Sequence, residues 1–262
     1  MTSKHIHAWA LHTIIDKAEY DIKGSTNPDI HRLDDYIIDN AFIATVQLRN
    51  YGASYHIWDA QRRFDIEFGK YHASELRKQC LAKCKVTRRN KKLQPLAFMA
   101  FDIEGSRQNG FSTVTTNPHG HGIVLFHERA LTNFKNANSA FRTLEGGYII
   151  PNPTPGISLI DLKPVDSLGD VSSYLAYSLK LEGKLQNGDT NYAPYNFYPT
   201  SSVDFPFWQS LPLSRRHHHT HSSPHKEATN EGKRLRTLHS EDRHQSRRHR
   251  SRRDLSEARH IC

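Results

Sequence analysis

His119 and His121 stand one residue apart in "PHGHGIVLF", residues 118–126. On a strand, side chains alternate with a period of two, so both imidazoles point the same way. They share that side with Ile123 and Leu125. Gly120 and Gly122 share the other with Val124 and Phe126. Two imidazoles so placed can bind one divalent ion, and the glycines let a helix or a backbone come close behind them. Such a site needs a third ligand. The preceding strand, "LAFMAFDIE" (96–104), is antiparallel by hairpin logic and carries Asp102 and Glu104 on one face. We expect Glu104, with its longer reach, to be the ligand, and Asp102 to be the alternative. A carboxylate with two imidazoles suits Mg2+ or Mn2+ work on phosphates as well as zinc.

A second set of reactive groups lies in "GDVSSYLAYSLKLEG" (169–183). Helical spacing puts Val171, Leu175 and Leu179 on an apolar stripe. Tyr174 borders the stripe. Tyr177 lies further round, with Lys180 as its i+3 neighbour. A tyrosine beside a lysine is an available nucleophile with a charge to stabilise it. Tyrosines on amphipathic helices ordinarily belong to the core or its rim, so "YSLK" alone says little. Asp170 is the expected N-cap and Gly183 the expected stop.

These groups need elements to hold them. Residues 41–48 read as a strand rich in β-branched side chains. Residues 59–93 read as one long helix, with Phe64, Phe68, Tyr71, Leu76 and Leu81 near helical spacing. Its polar face is basic, and Arg62, Arg63, Lys85, Arg88 and Arg89 are the expected nucleic-acid contacts. A helix over 131–145 and a strand over 156–165 follow. Residues 1–40 read as a polar N-terminal extension, and the aromatic, proline-rich stretch 191–208 as a wrapping segment. The mixture predicts an α+β fold: an antiparallel-rich central sheet with flanking helices.

Net charge is +9. Residues 214–262 hold 13 Lys and Arg against 6 Asp and Glu, a net +7, which leaves +2 for residues 1–213. This basic His/Arg-rich tail has no Phe, Trp or Tyr and reads as disordered. It is either a phosphate-binding arm or a solubilising tail. No apolar run of about 18 residues is present, so no transmembrane helix is expected. The N-terminus lacks the layout of a secretory signal. Three cysteines build no disulfide framework, and Cys80 and Cys84 read as small core residues. We expect a cytoplasmic protein.

In order, the chain offers a strand, a basic helix, a carboxylate strand, the His-x-His strand, a helix, a strand and the Tyr-x-x-Lys helix. This order, with "FIATVQL", "FDIEGSR", "PHGHGIVLF" and "SYLAYSLK", resembles the HUH endonucleases, above all the rolling-circle replication initiators (Rep proteins) of phages and plasmids. The resemblance spans residues 41–182. It implies a ferredoxin- or RRM-like nuclease core over 41–213 and metal ligation by His119, His121 and Glu104. It also implies attack by Tyr177, or alternatively Tyr174, with Lys180 assisting. The implied substrate is single-stranded DNA, such as an origin hairpin, nicked to a 5′-phosphotyrosine and a 3′-hydroxyl. A host helicase and polymerase would be partners, since no "GxxxxGK[ST]" motif follows. The residues do not separate an initiator from a related single-strand transposase. A non-catalytic nucleic-acid-binding protein and a structural zinc site are further readings.

The chain departs from that family in two places. Gly120 stands where a bulky hydrophobic residue separates the family's histidines. Tyr174 and Tyr177 are three apart, where many initiators space two tyrosines by four. A more literal His-hydrophobe-His occurs at His5, Ile6 and His7. We reject it as a metal site because it precedes every strand and has no partner strand to supply a third ligand.

Overall fold

The alternation in Ala41–Leu48 produces β1, the strand about which the sheet is organised. The computed structural model describes residues 3–24, 32–50, 54–81, 86–104, 114–181, 193–200 and 205–211. The further strands are β2 (Tyr55–His56), β3 (Leu96–Asp102), β4 (Val114–Thr115), β5 (His119–Leu125), β6 (Tyr148–Thr154), β7 (Ile157–Pro164) and β8 (Tyr195–Tyr198). Six of them form one sheet in the order β6–β7–β1–β5–β3–β8, with every pairing antiparallel. The α+β expectation holds at this level. The histidine strand β5 is interior, hydrogen-bonded to β1 on one edge and β3 on the other.

The helices are α1 (Ser3–Lys23), α2 (Leu33–Asn40), α3 (Ile57–Tyr71), α4 (Arg77–Leu81), α5 (Glu128–Ala137) and α6 (Leu168–Ser178). One face of the sheet offers Phe42, Val46, Met99, Phe101 and Val124. It buries them against α3, α4 and α5 through Phe64, Phe68, Leu131 and Phe134. The opposite face offers Phe98, Ile123 and Leu125 to α1, α2, α6 and Phe205–Leu211. The predicted stripe of α6 is fully buried there, with Val171 and Leu175 at 0% exposure. Each such side chain contributes about 1.5–3 kcal/mol, which fixes the helix that carries the tyrosines.

Within residues 1–40, the described helices α1 and α2 pack on the sheet. Ile6, Ala10, Ile14 and Ala18 bury a full helical stripe of α1 on the sheet. Thr13, Lys17 and Asp21 are buried with them, and Lys17 and Asp21 form an ion pair. Those polar residues break the apolar pattern and made the segment look solvated.

Of the helix expected over 59–93, α3, a π turn at His72–Leu76 and α4 follow one another without a break to Leu81, and residues 82–85 lie outside the described residues. Arg88 and Arg89 sit on an exposed turn pinned by Thr87 and Asn90. The helix expected at 131–145 starts earlier, where the His127 side chain accepts from the Arg129 N–H, and ends at Ala137. Ser167 caps α6 in place of Asp170. Four strands escaped prediction: the two-residue pair β2 and β4, and β6 and β8 at the edges of the main sheet. Pro151 and Pro153 sit in β6, which is tolerable because β6 is an edge strand. The wrapping segment contributes the opposite edge, β8. Cys80 is buried, as expected of a core residue. The basic tail, Lys85, Cys84 and the Gly183 stop lie outside the described residues.

Candidate functional site

Register decides which carboxylate meets the histidines. Asp102 is the last residue of β3 and lies directly opposite His119. His121, two residues on, faces Ala100 across that edge and Thr45 of β1 across the other. The alanine leaves room for the imidazole to lean toward Asp102. Both Nε2 atoms lie 3.4 Å from Asp102 Oδ2. One ligand atom from each of Asp102, His119 and His121 falls within 4.8 Å of the others. A carboxylate oxygen and two imidazole nitrogens are a donor set that fits a divalent ion.

Glu104, the expected third ligand, is elsewhere. Beyond the end of β3 its carboxylate accepts hydrogen bonds from Thr115 Oγ1 at 2.6 Å, Thr116 N at 2.8 Å and Thr116 Oγ1 at 2.9 Å. The Asn117 N–H also points at it, 3.2 Å away. Partial burial would raise its pKa, but these donors outweigh burial and hold it down at about 2. Its longer side chain turns back onto the strand approach, and Asp102 takes the place beside the imidazoles. Glu104 has a positioning effect all the same. It fixes the segment whose Asn117 carbonyl lies 2.9 Å from His119 Nδ1. An Nδ1–H donated there leaves the Nε2 lone pair facing Asp102, the arrangement that outer partners impose on metal-binding histidines.

His121 is oriented by two hydroxyls. Its Nδ1 lies 3.0 Å from Tyr174 Oη and 3.2 Å from Thr45 Oγ1, and those hydroxyls are 3.2 Å apart. Thr45 did not emerge from sequence reasoning, although a threonine opposite His121 follows once β1 and β5 are paired in register. The two imidazoles differ electrostatically. Burial lowers the pKa of His121, and repulsion from His119 adds to that against the pull of Asp102, so the net shift is downward. For His119, burial is outweighed by hydrogen bonds to Asp102 and the Asn117 carbonyl, and the net shift is upward.

Helix α6 and the 3-10 turn Leu179–Leu181 that follows it bring the remaining groups. Lys180 Nζ lies 2.5 Å from Asp102 Oδ2, the same oxygen both histidines face. It also donates to Tyr177 Oη at 2.9 Å and sits 4.0 Å from that ring's centroid. One ammonium thus links the carboxylate to a phenol. The His121 ring is 5.2 Å from Tyr177 and 6.0 Å from Tyr174. The tyrosines differ in setting. Burial pushes the Tyr174 phenol up to about 12, moderated by the Thr45 hydrogen bond. The Tyr174 hydroxyl is committed to Thr45 and His121, whereas the Tyr177 hydroxyl meets the lysine.

The back of the site explains the glycine between the histidines. A Cβ on Gly120 would fall 2.1 Å from Phe64 Cζ, so the phenyl ring of α3 occupies that space. A Cβ on Gly122 would fall 1.8 Å from the Phe98 carbonyl oxygen of β3. Close approach behind both glycines was expected. The bulk missing at position 120 is supplied by another element.

The basic residues do not form one surface. Arg63 donates to the Arg49 carbonyl at 2.9 Å, just past the end of β1, and lies 4.9 Å from the Tyr55 ring. That is the sheet end that holds His119. Arg62 is exposed next to it on α3. Arg88 and Arg89 lie on the exposed turn before β3, whose first residue, Leu96, pairs with Leu125 at the far end of β5. Among the described residues, His5 and His7 are not part of a group of three metal-ligating side chains. They lie on α1, where His7 Nε2 meets the Ser172 carbonyl of α6 at 2.8 Å and helps seat the tyrosine helix.

No helix among the described residues is long and apolar enough to cross a membrane. No protein-family model, no curated protein and no solved structure matches the chain.

Proposed function

We propose that the chain is a DNA-nicking and -joining enzyme of the tyrosine HUH type, acting on single-stranded DNA as a phage- or plasmid-type replication initiator. One observation carries this reading: both histidines and Lys180 converge on a single oxygen of Asp102, and Lys180 also binds the Tyr177 hydroxyl. A divalent ion, Mg2+ or Mn2+, held by Asp102, His119 and His121 would polarise a scissile phosphate. Tyr177 is the nucleophile. Its oxygen forms a bond to phosphorus as the bond to the 3′ oxygen breaks. The proton lost from the phenol is balanced by the one taken up at the departing 3′ oxygen. The products are a 5′-phosphotyrosine and a 3′-hydroxyl, and reversal rejoins the strand without external energy. Lys180 steadies the phenolate as it forms and holds Asp102 in place. Tyr174, raised to about 12 and bonded to His121 and Thr45, orients the imidazole.

The test is incubation with single-stranded DNA and Mn2+, followed by denaturation. A covalent protein–DNA adduct is expected with the wild type and absent with Tyr177→Phe. Tyr174→Phe should retain it at reduced yield. If only Tyr174→Phe abolishes the adduct, the nucleophile is misassigned. If no adduct forms, the reaction is not this one.

A second reading draws on Lys180 lying 2.5 Å from Asp102. In it the cluster is a charge network without metal, in a non-catalytic nucleic-acid-binding protein. It predicts metal affinity unchanged by His119→Ala with His121→Ala.

A further inference from the structure

A cavity of about 390 Å3 opens beside the tyrosine pair, within the size range of small-molecule sites. Tyr174 and Tyr177 form one wall. Ile43, Pro164 and Val165 supply apolar surface, and Asp166, Asp170 and Ser173 supply the polar groups. Ile43 is two residues from Thr45, on the side of β1 that carries the site. The cavity therefore continues the site past the tyrosines.

Its lining disfavours a phosphate. Among the described residues, no Lys or Arg lines it. The first turn of α6 would ordinarily attract an anion, but Asp170 sits in that turn and Asp166 just precedes it. Two carboxylates here accept hydrogen bonds and repel the DNA backbone. Apolar and aromatic side chains together with carboxylate acceptors suit an unstacked base, which proteins bind by stacking and through its Watson–Crick edge. Guanine presents two adjacent N–H donors, N1–H and the 2-amino group, to a carboxylate's two oxygens. Adenine and cytosine set one amino group beside a ring acceptor, and thymine sets one N–H between two carbonyls. A carboxylate pairs both oxygens with guanine alone.

We propose that this cavity binds a guanine base of the DNA strand next to the scissile phosphate, with Asp170 and Asp166 reading its N–H edge and the tyrosine rings flanking it. The inference builds on the nicking function proposed above, and the test separates the two. In the first arm, the full-length protein is titrated with the phosphate-free nucleosides deoxyguanosine, deoxyinosine, deoxycytidine and thymidine, with tyrosine ring resonances followed by NMR. In the second, a random-sequence single-stranded pool is reacted with Mn2+, and the DNA in the covalent adducts is sequenced.

Deoxyguanosine should bind about tenfold tighter than deoxyinosine, which lacks the 2-amino group, and shift the Tyr174 and Tyr177 rings. Asp170→Asn or Asp166→Asn should erase the preference. Adducts should be enriched in guanine at one fixed position beside the cut. The inosine comparison needs no variant and holds even if a substitution disturbs the fold. Equal binding of all four nucleosides, or adducts with no guanine enrichment, overturns the pocket assignment and leaves nicking intact. Guanosine preference with no adduct overturns nicking and leaves the pocket.

Discussion

The two sides of β5 are opposites. One side carries His119 and His121, ringed by Asp102, Thr45, two tyrosines and a lysine. The reverse side, at the same residues, has no side chain from β5: Gly120 lies under Phe64, and Gly122 lies against the backbone of β3. Phe64 is itself locked, stacked on Phe68 at 6.0 Å and tilted against Phe101 at 6.1 Å. The contrast separates two tasks. The front is polar, partly solvated and tunable. The back is close-packed, and interiors of that density resist displacement. A strand pressed flat from behind and bonded on both edges holds its two imidazoles in fixed directions, which a preorganised site requires.

That division predicts that front-side changes abolish chemistry with little loss of stability, while back-side changes lower stability. The largest expected effect is from His119→Ala with His121→Ala. Adduct formation should fall at least about a thousandfold, on the scale of losing a metal or a catalytic group. Thermal unfolding monitored by circular dichroism should shift by only a few degrees. A collapse of the fold in that variant would erase the distinction between the two sides.

Next is Gly120→Ala. The added methyl meets the Phe64 ring, and overpacking of this kind costs about 1–3 kcal/mol. Phe64→Leu combined with it should recover part of the loss, because the two residues share one space. Strict additivity of the two changes in chemical denaturation would contradict the contact.

The smallest effect concerns a titrating group on the back side. Burial raises the pKa of Asp65 on α3 to about 7, against the opposing hydrogen bond from the Tyr198 hydroxyl at 3.1 Å. The folded state therefore favours the protonated carboxyl. Its contribution is complete below the ordinary carboxylate value near 3.8 and is lost as pH rises through about 7. Asp65→Asn, neutral at every pH, should gain melting temperature over the wild type between pH 5 and pH 8. A constant difference across that range would count against the buried carboxyl.

The front of the site was largely legible because strand and helix periods are local. His119 and His121 on one side, the close approach behind Gly120 and Gly122, and the stripe Val171–Leu175–Leu179 all follow from spacing. What was misread depended on where elements end or on partners far along the chain. Asp102 and Glu104 have the same parity, and only the end of β3 at Asp102 assigns them different work. The ring over Gly120 comes from α3, more than fifty residues earlier. Helix α1 was hidden because Thr13, Lys17 and Asp21 are buried in its apolar stripe, and composition does not reveal a polar residue satisfied by tertiary partners. Arg62 and Arg63 lie on α3 and Arg88 and Arg89 on a turn, a difference that leaves no mark in their charge pattern.

Asp102, His119 and His121 together could hold one metal ion. Isothermal titration of Mn2+ into the wild type, Asp102→Asn and Glu104→Gln tests it most directly. One site is expected in the wild type, with its loss in Asp102→Asn and retention of a single, at most weakened, site in Glu104→Gln. A site that survives Asp102→Asn, or one that vanishes only with Glu104→Gln, would contradict it.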